Sequence, residues 1–185
     1  FVMIRFSSAV VLSALAFINT ASATQPGSYA GQERREIKAL SPEEVESYLA
    51  GKGAGLAKAA ELNHYPGPLH VLELADKLQL SDSQKARTKA IFDAMQKEAI
   101  RQGKTLVEKE QELDRQFATG AVTTDSLRST LKQIGDLQAD VRKSHLQAHI
   151  EQRAILTKAQ IAKYDELRGY TSRAASGHDD HSHKH

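Results

Sequence analysis

Between residues 81 and 155 apolar side chains return at a helical interval. Phe92, Ala99, Leu106 and Leu113 recur every seven residues, joined by Ile91, Met95, Val107 and Phe117, and most positions between them are charged or carry amides. That period puts one narrow apolar stripe on a helix over residues 81–118, roughly 55 Å long at 1.5 Å per residue. Thr119-Gly120 and the Thr123-Thr124-Asp125 cluster interrupt the pattern with turn and cap residues. Leu127, Ile134, Val141, Ala148 and Ile155 then restart it at the same spacing, with Leu131 and Leu137 beside them. Two stripes joined by a short reversal predict a long antiparallel helical hairpin.

Shorter elements flank it. Ser41-Pro42-Glu43-Glu44 supplies a hydroxyl N-cap, a proline at the first helical position and a glutamate three residues after the cap. The helix it opens should end early, because Gly51, Gly53 and Gly55 follow at alternate positions. A short helical piece is expected over residues 56–62. Asn63-His64-Tyr65-Pro66-Gly67-Pro68 reads as a turn, and residues 69–79 as one amphipathic helix.

Two near-repeated phrases stand at the ends of the hairpin: Leu80, Ser81 and Gln84, then Leu156, Thr157 and Gln160. In each, the hydroxyl caps a helix and the glutamine reaches back, so that both satisfy backbone N–H groups with no helical partner. A last helix with Ile161, Tyr164 and Leu167 facing inward should stop at Gly169.

Composition agrees with thin-cored helices. The chain has 185 residues, 40% of them apolar but only 5% aromatic, with no Trp and no Cys. That is enough for a single core. Basic and acidic residues number 25 and 23, so no broad field invites nucleic acid. Met3-Ile4-Arg5, an apolar run and Ala21-Ser22-Ala23 predict a cleavable signal peptide over residues 1–23, hence export to the periplasm, where packing alone must hold a cysteine-free protein. Residues 24–40 are expected to be a linker, 41–170 a single all-α domain and 171–185 a disordered His-rich tail. Nothing suggests an enzyme: no nucleophile has a recognisable base partner and no strand precedes a Gly-rich phosphate loop.

Paired L-[ST]-x-x-Q phrases around a helical hairpin, behind a leader, resemble the LTXXQ-motif proteins of the bacterial periplasm. That superfamily includes the Spy and CpxP stress proteins and the ZraP and CnrX-type heavy-metal binders. The resemblance covers about residues 68–170. It implies a cradle-shaped, often dimeric helical fold serving envelope stress, with no catalytic residues. It also leaves two jobs open: an ATP-independent chaperone that shields unfolded clients, or a heavy-metal sensor that docks on a membrane-bound regulator.

Histidines are the candidate chemistry. His145 and His149 lie four apart on the predicted helix and could share a metal, although two ligands make half a site. Leu146 follows the first of them where a zincin needs Glu. Glu151, Glu73, His64 and His70 are candidates for a third ligand; equally, His145 reads as a boundary residue of the stripe and His149 as a solvated one. In the tail, His178, Asp179, Asp180, His181, His183 and His185 place nitrogen and oxygen donors that suit Zn, Cu or Ni. The alternative, an added purification tag, fits less well with the acidic pair and with Ser182 and Lys184. Met95, the only methionine after the leader, has Ile91 four residues before it, so the His-x3-Met ligand pair of CnrX-type sensors is missing. The sequence thus favours a metal-binding, client-shielding homodimer over a sensor.

Overall fold

The structure, a computed structural model, describes residues 27–171; the expected signal peptide, residues 24–26 of the linker and the tail ligands from His178 onward lie outside them. The chain divides between Glu33 and Arg34 into two compact units. In the first, residues 27–33 make turns closed by Ala30 N–H to the Gly27 carbonyl at 2.9 Å and Gln32 N–H to that of Tyr29 at 3.0 Å.

The second unit is all-α, with no strand among the described residues: α1 (Pro42–Leu49), α2 (Lys58–Glu61), α3 (Pro68–Glu73), α4 (Asp82–Ala118), α5 (Thr124–Ile155) and α6 (Lys158–Arg168). None of these helices is long and apolar enough to cross a membrane. α4 and α5 form the antiparallel pair, and polar side chains mark its register. Gln116 donates to Thr130 Oγ1 at 2.9 Å, Ser144 to Gln102 Oε1 at 2.9 Å and Gln152 to Thr88 Oγ1 at 3.1 Å. Between these rungs Ala99 and Leu106 face Ile134, Val141 and Ala148, all buried. A seam of small and medium side chains brings the helices close but buries little, so directional polar pairs help fix which residues meet.

Phe117 and Leu131, read from the sequence as stripe residues, are instead 58% and 48% exposed. The Gln116–Thr130 pair occupies the seam at that level, and an adjacent residue on a helix points about 100° away.

The end of the hairpin opposite its turn carries a buried apolar cluster. Val71, Leu78, Leu80, Leu156 and Tyr164 form it, with Leu74, Ile161 and Tyr170 packed against them. The expected helix over residues 69–79 is corrected here: α3 stops at Glu73, and turns carry the chain through Gln79, at φ 50°, to Leu80. A continuous helix would point Leu78 and Leu80 about 200° apart, whereas the turns let both enter one cluster.

A second cluster corrects the linker boundary. Ile37 and Leu40 are buried with Val107, beside Val45 and Tyr48. Lys38 pairs with Asp114 at 3.0 Å, and Gln111 donates to Glu36 at 3.1 Å, so residues 34–40 lie along α4 although they form no helix. α1 then approaches so closely that a Cβ on Gly103 would lie 2.3 Å from the Tyr48 carbonyl oxygen.

Candidate functional site

Both capping phrases start helices, and the structure joins them. Ser81 and Thr157 are N-caps; each accepts from the backbone of its glutamine at 3.2 Å, and each glutamine Oε1 receives its cap's N–H at 3.0 Å. Gln84 Nε2 donates to Gln160 Oε1 at 2.8 Å, and Gln160 Nε2 returns a bond to Gln84 Oε1 at 3.1 Å. Each amide spends its second N–H on a carbonyl, Ile155 for Gln84 (3.1 Å) and Leu78 for Gln160 (3.3 Å). Two donors and two acceptor positions are thus filled on both amides. Leu80 and Leu156 enter the cluster beneath them. The phrases are therefore one structural clasp.

A cavity of about 490 Å3 opens between the α1–α2 connection, the turn before α3, the N-terminal third of α4 and the C-terminal part of α5. Alternating glycines 51, 53 and 55 end α1 as expected and leave bare backbone along one wall. Phe92, Met95 and Ala148 line another. Leu62 and Leu69, 54% and 43% exposed, stand among its lining residues.

His145 and His149 both line the cavity. His145 is 5% exposed and its Nε2 has no hydrogen-bond partner. Burial, and then the neighbouring His149, hold its imidazole below the ordinary histidine range, so it is neutral at pH 7. His149 corrects the expectation of a solvated residue: its Nδ1 lies 2.7 Å from the Tyr65 carbonyl and therefore carries the proton. A Cβ added to Gly67 would lie 3.0 Å from His149 Cε1 and 3.2 Å from Nε2, so glycine lets the turn pass this ring without displacing it.

Glu61, which the sequence reading did not single out, organises the cavity's inner end. Its Oε1 receives the hydroxyls of Tyr164 at 2.5 Å and Tyr170 at 3.1 Å, with Arg168 at 3.6 Å. Its Oε2 is buried without a hydrogen bond, 3.6 Å from His149 Nδ1. Burial, reinforced by Glu61, raises the Tyr164 phenol far above its usual range, keeping it a donor. α2 spans only Lys58–Glu61 and has no side-chain cap, so nothing local announced the residue.

Of the proposed third ligands, His70 reaches the cavity wall but bonds Glu73 at 2.8 Å. His64 pairs with Asp165 at 2.7 Å, and Glu151 accepts from Gln147 at 3.0 Å on the exposed face. Among the described residues no three histidines or carboxylates are gathered to hold a metal ion. The tail ligands His178, Asp179, Asp180, His181, His183 and His185 lie outside those residues.

No family model, no curated protein and no solved structure matches the chain.

Proposed function

We propose that this is an exported stress protein of the LTXXQ type that shields apolar segments of unfolded periplasmic proteins without ATP and captures Zn, Cu or Ni through its histidines. The observation that carries the reading is the apolar cavity lined in part by exposed Leu62 and Leu69. Leu49 and Ile100, 46% and 39% exposed, adjoin it next to Ala50 and Gly51. Apolar side chains left in water around a concavity favour a partner that covers them. A Spy- or CpxP-like cradle completed by a second copy extends the same reading, with the glutamine clasp holding the long hairpin to its flanking helices.

The residues at the cavity do not by themselves fit a metal. His149 gives one nitrogen to Tyr65, His145 is its only histidine neighbour on α5, and a third ligand is not gathered beside them. Capture is therefore assigned to the tail, whose imidazole and carboxylate donors suit these ions.

Two measurements test the halves separately. Aggregation of a reduced client should be suppressed by an equimolar amount of the mature protein and several-fold less by Leu62→Asp/Leu69→Asp; equal protection by both would refute the cavity as the holding surface. Calorimetric titration with Zn2+ should lose most of its heat when residues 176–185 are deleted, and undiminished binding would return the metal to His145 and His149.

A further inference from the structure

The same cavity suits a small molecule, on grounds independent of client holding and metal capture. Its volume of about 490 Å3 falls within the roughly 300–1,000 Å3 of small-ligand sites. Phe92 and Met95 supply polarisable apolar wall, and the backbone at Gly51, Gly53 and Gly55 lets a flat ring approach closely. His145 is buried and neutral, so one ring nitrogen is an acceptor; Nδ1 is the nitrogen beside Gly53 on the cavity wall, where an added Cβ would lie 3.6 Å from it, and it takes no hydrogen bond from the described residues. An occupant that covers this nitrogen without bonding it takes away its water, so one that supplies a donor is preferred over one that cannot.

Charge selects among donors. Glu61 is set against Arg168 at 3.6 Å, and Lys52 against Glu46 at 2.6 Å, while Lys58 also lines the cavity and has no carboxylate partner among the described residues. A cationic ligand would meet this surplus of positive charge, and an anion would meet Glu61 and the acceptor nitrogen. A neutral donor avoids both.

We propose that the cavity binds a small neutral aromatic molecule bearing one hydrogen-bond donor, in its simplest form a phenol, with the ring against Phe92 and Met95 and the hydroxyl donated to His145. Titration of the full chain near neutral pH with 4-methylphenol should saturate with Kd below about 1 mM. 4-Methylanisole, 4-methylbenzoate and 4-methylbenzylammonium, which lack the donor or carry charge, should bind at least about tenfold more weakly. In His145→Phe the phenol should fall to the affinity of the anisole. Because that variant alters a buried position, the wild-type NMR spectrum gives a second reading: saturating phenol should shift the Met95 methyl and the His145 ring signals. Absence of saturable binding, equal affinity for phenol and anisole, preference for either charged analogue, or saturation without a Met95 shift would each overturn the proposal.

Discussion

At the scale of single residues, the glutamines of the two phrases act on each other as much as on their own helices. Either one replaced by Ala strands the partner's amide and a carbonyl, Ile155 or Leu78, with an expected loss of about 1–2 kcal/mol. Because the stranded groups are shared, Gln84→Ala/Gln160→Ala should cost less than the two single losses added, by at least about 0.5 kcal/mol. Urea denaturation of the four proteins measures this, and strict additivity would mean that the clasp does not couple the phrases. Glu110 gives a residue-scale prediction in pH. It is buried on α4, and burial raises its carboxyl above the ordinary range; the Tyr48 phenol on α1 is in turn raised by burial and by the carboxylates of Glu44 and Glu110. A carboxyl raised on folding stabilises most below its unfolded pKa of about 4.3, and that contribution is lost as pH rises through the folded value. Glu110→Gln should therefore raise the denaturation midpoint at pH 7 and give no advantage below about pH 4. A constant gain across that range would point to packing instead of charge.

At the scale of elements, what could be read from the sequence was what the sequence settles locally. α4 and α6 begin where Ser81 and Thr157 cap them, because a capping box involves residues three apart. The end of α3 was not legible, since Leu78 and Leu80 leave the helix for a cluster built by distant Leu156 and Tyr164. Gly103 is illegible for the same reason: within α4 it looks like a weak point, whereas the backbone it makes room for, at Tyr48, lies on α1. Two glycine substitutions separate these cases. Gly103→Ala gains about 1 kcal/mol of helix propensity, but its Cβ would meet the Tyr48 carbonyl at 2.3 Å, a backbone atom that must move with α1. Overpacking of that kind costs about 1–3 kcal/mol, so net destabilisation is expected. Gly135, exposed on α5 with nothing within 4 Å of an added Cβ, should instead stabilise by about 0.5–1 kcal/mol when changed to Ala. Thermal unfolding of both variants decides it; a shift of the same sign in both would show that propensity alone governs these positions.

At the scale of the helical unit, the two histidines named from sequence do share a cavity, yet the residue that organises its inner end, Glu61, acts through partners about a hundred residues away, Tyr164 and Tyr170. Helical period can find a stripe, but it cannot say which separate stripes close around a space. The same distribution of long-range contacts sets a gradient of stability along α4 and α5. Near Thr88 and Gln152 the pair is held by the clasp, by α3 and by the Leu80–Leu156–Tyr164 cluster. Midway, α1 and residues 37–40 cover Gly103 and Val107. Beyond the Lys38–Asp114 pair, no hydrogen bond or ion pair ties a third element to the hairpin among the described residues, and Phe117 and Leu131 lie open. Local opening needs least free energy where the fewest buried contacts must break. Native-state hydrogen exchange should accordingly find amides of residues 113–132 opening several kcal/mol below the global value, while those around Thr88 and Gln152 exchange only with complete unfolding. Uniform protection along both helices would show that the hairpin opens as one unit, and that the clasp adds no stability local to its own end.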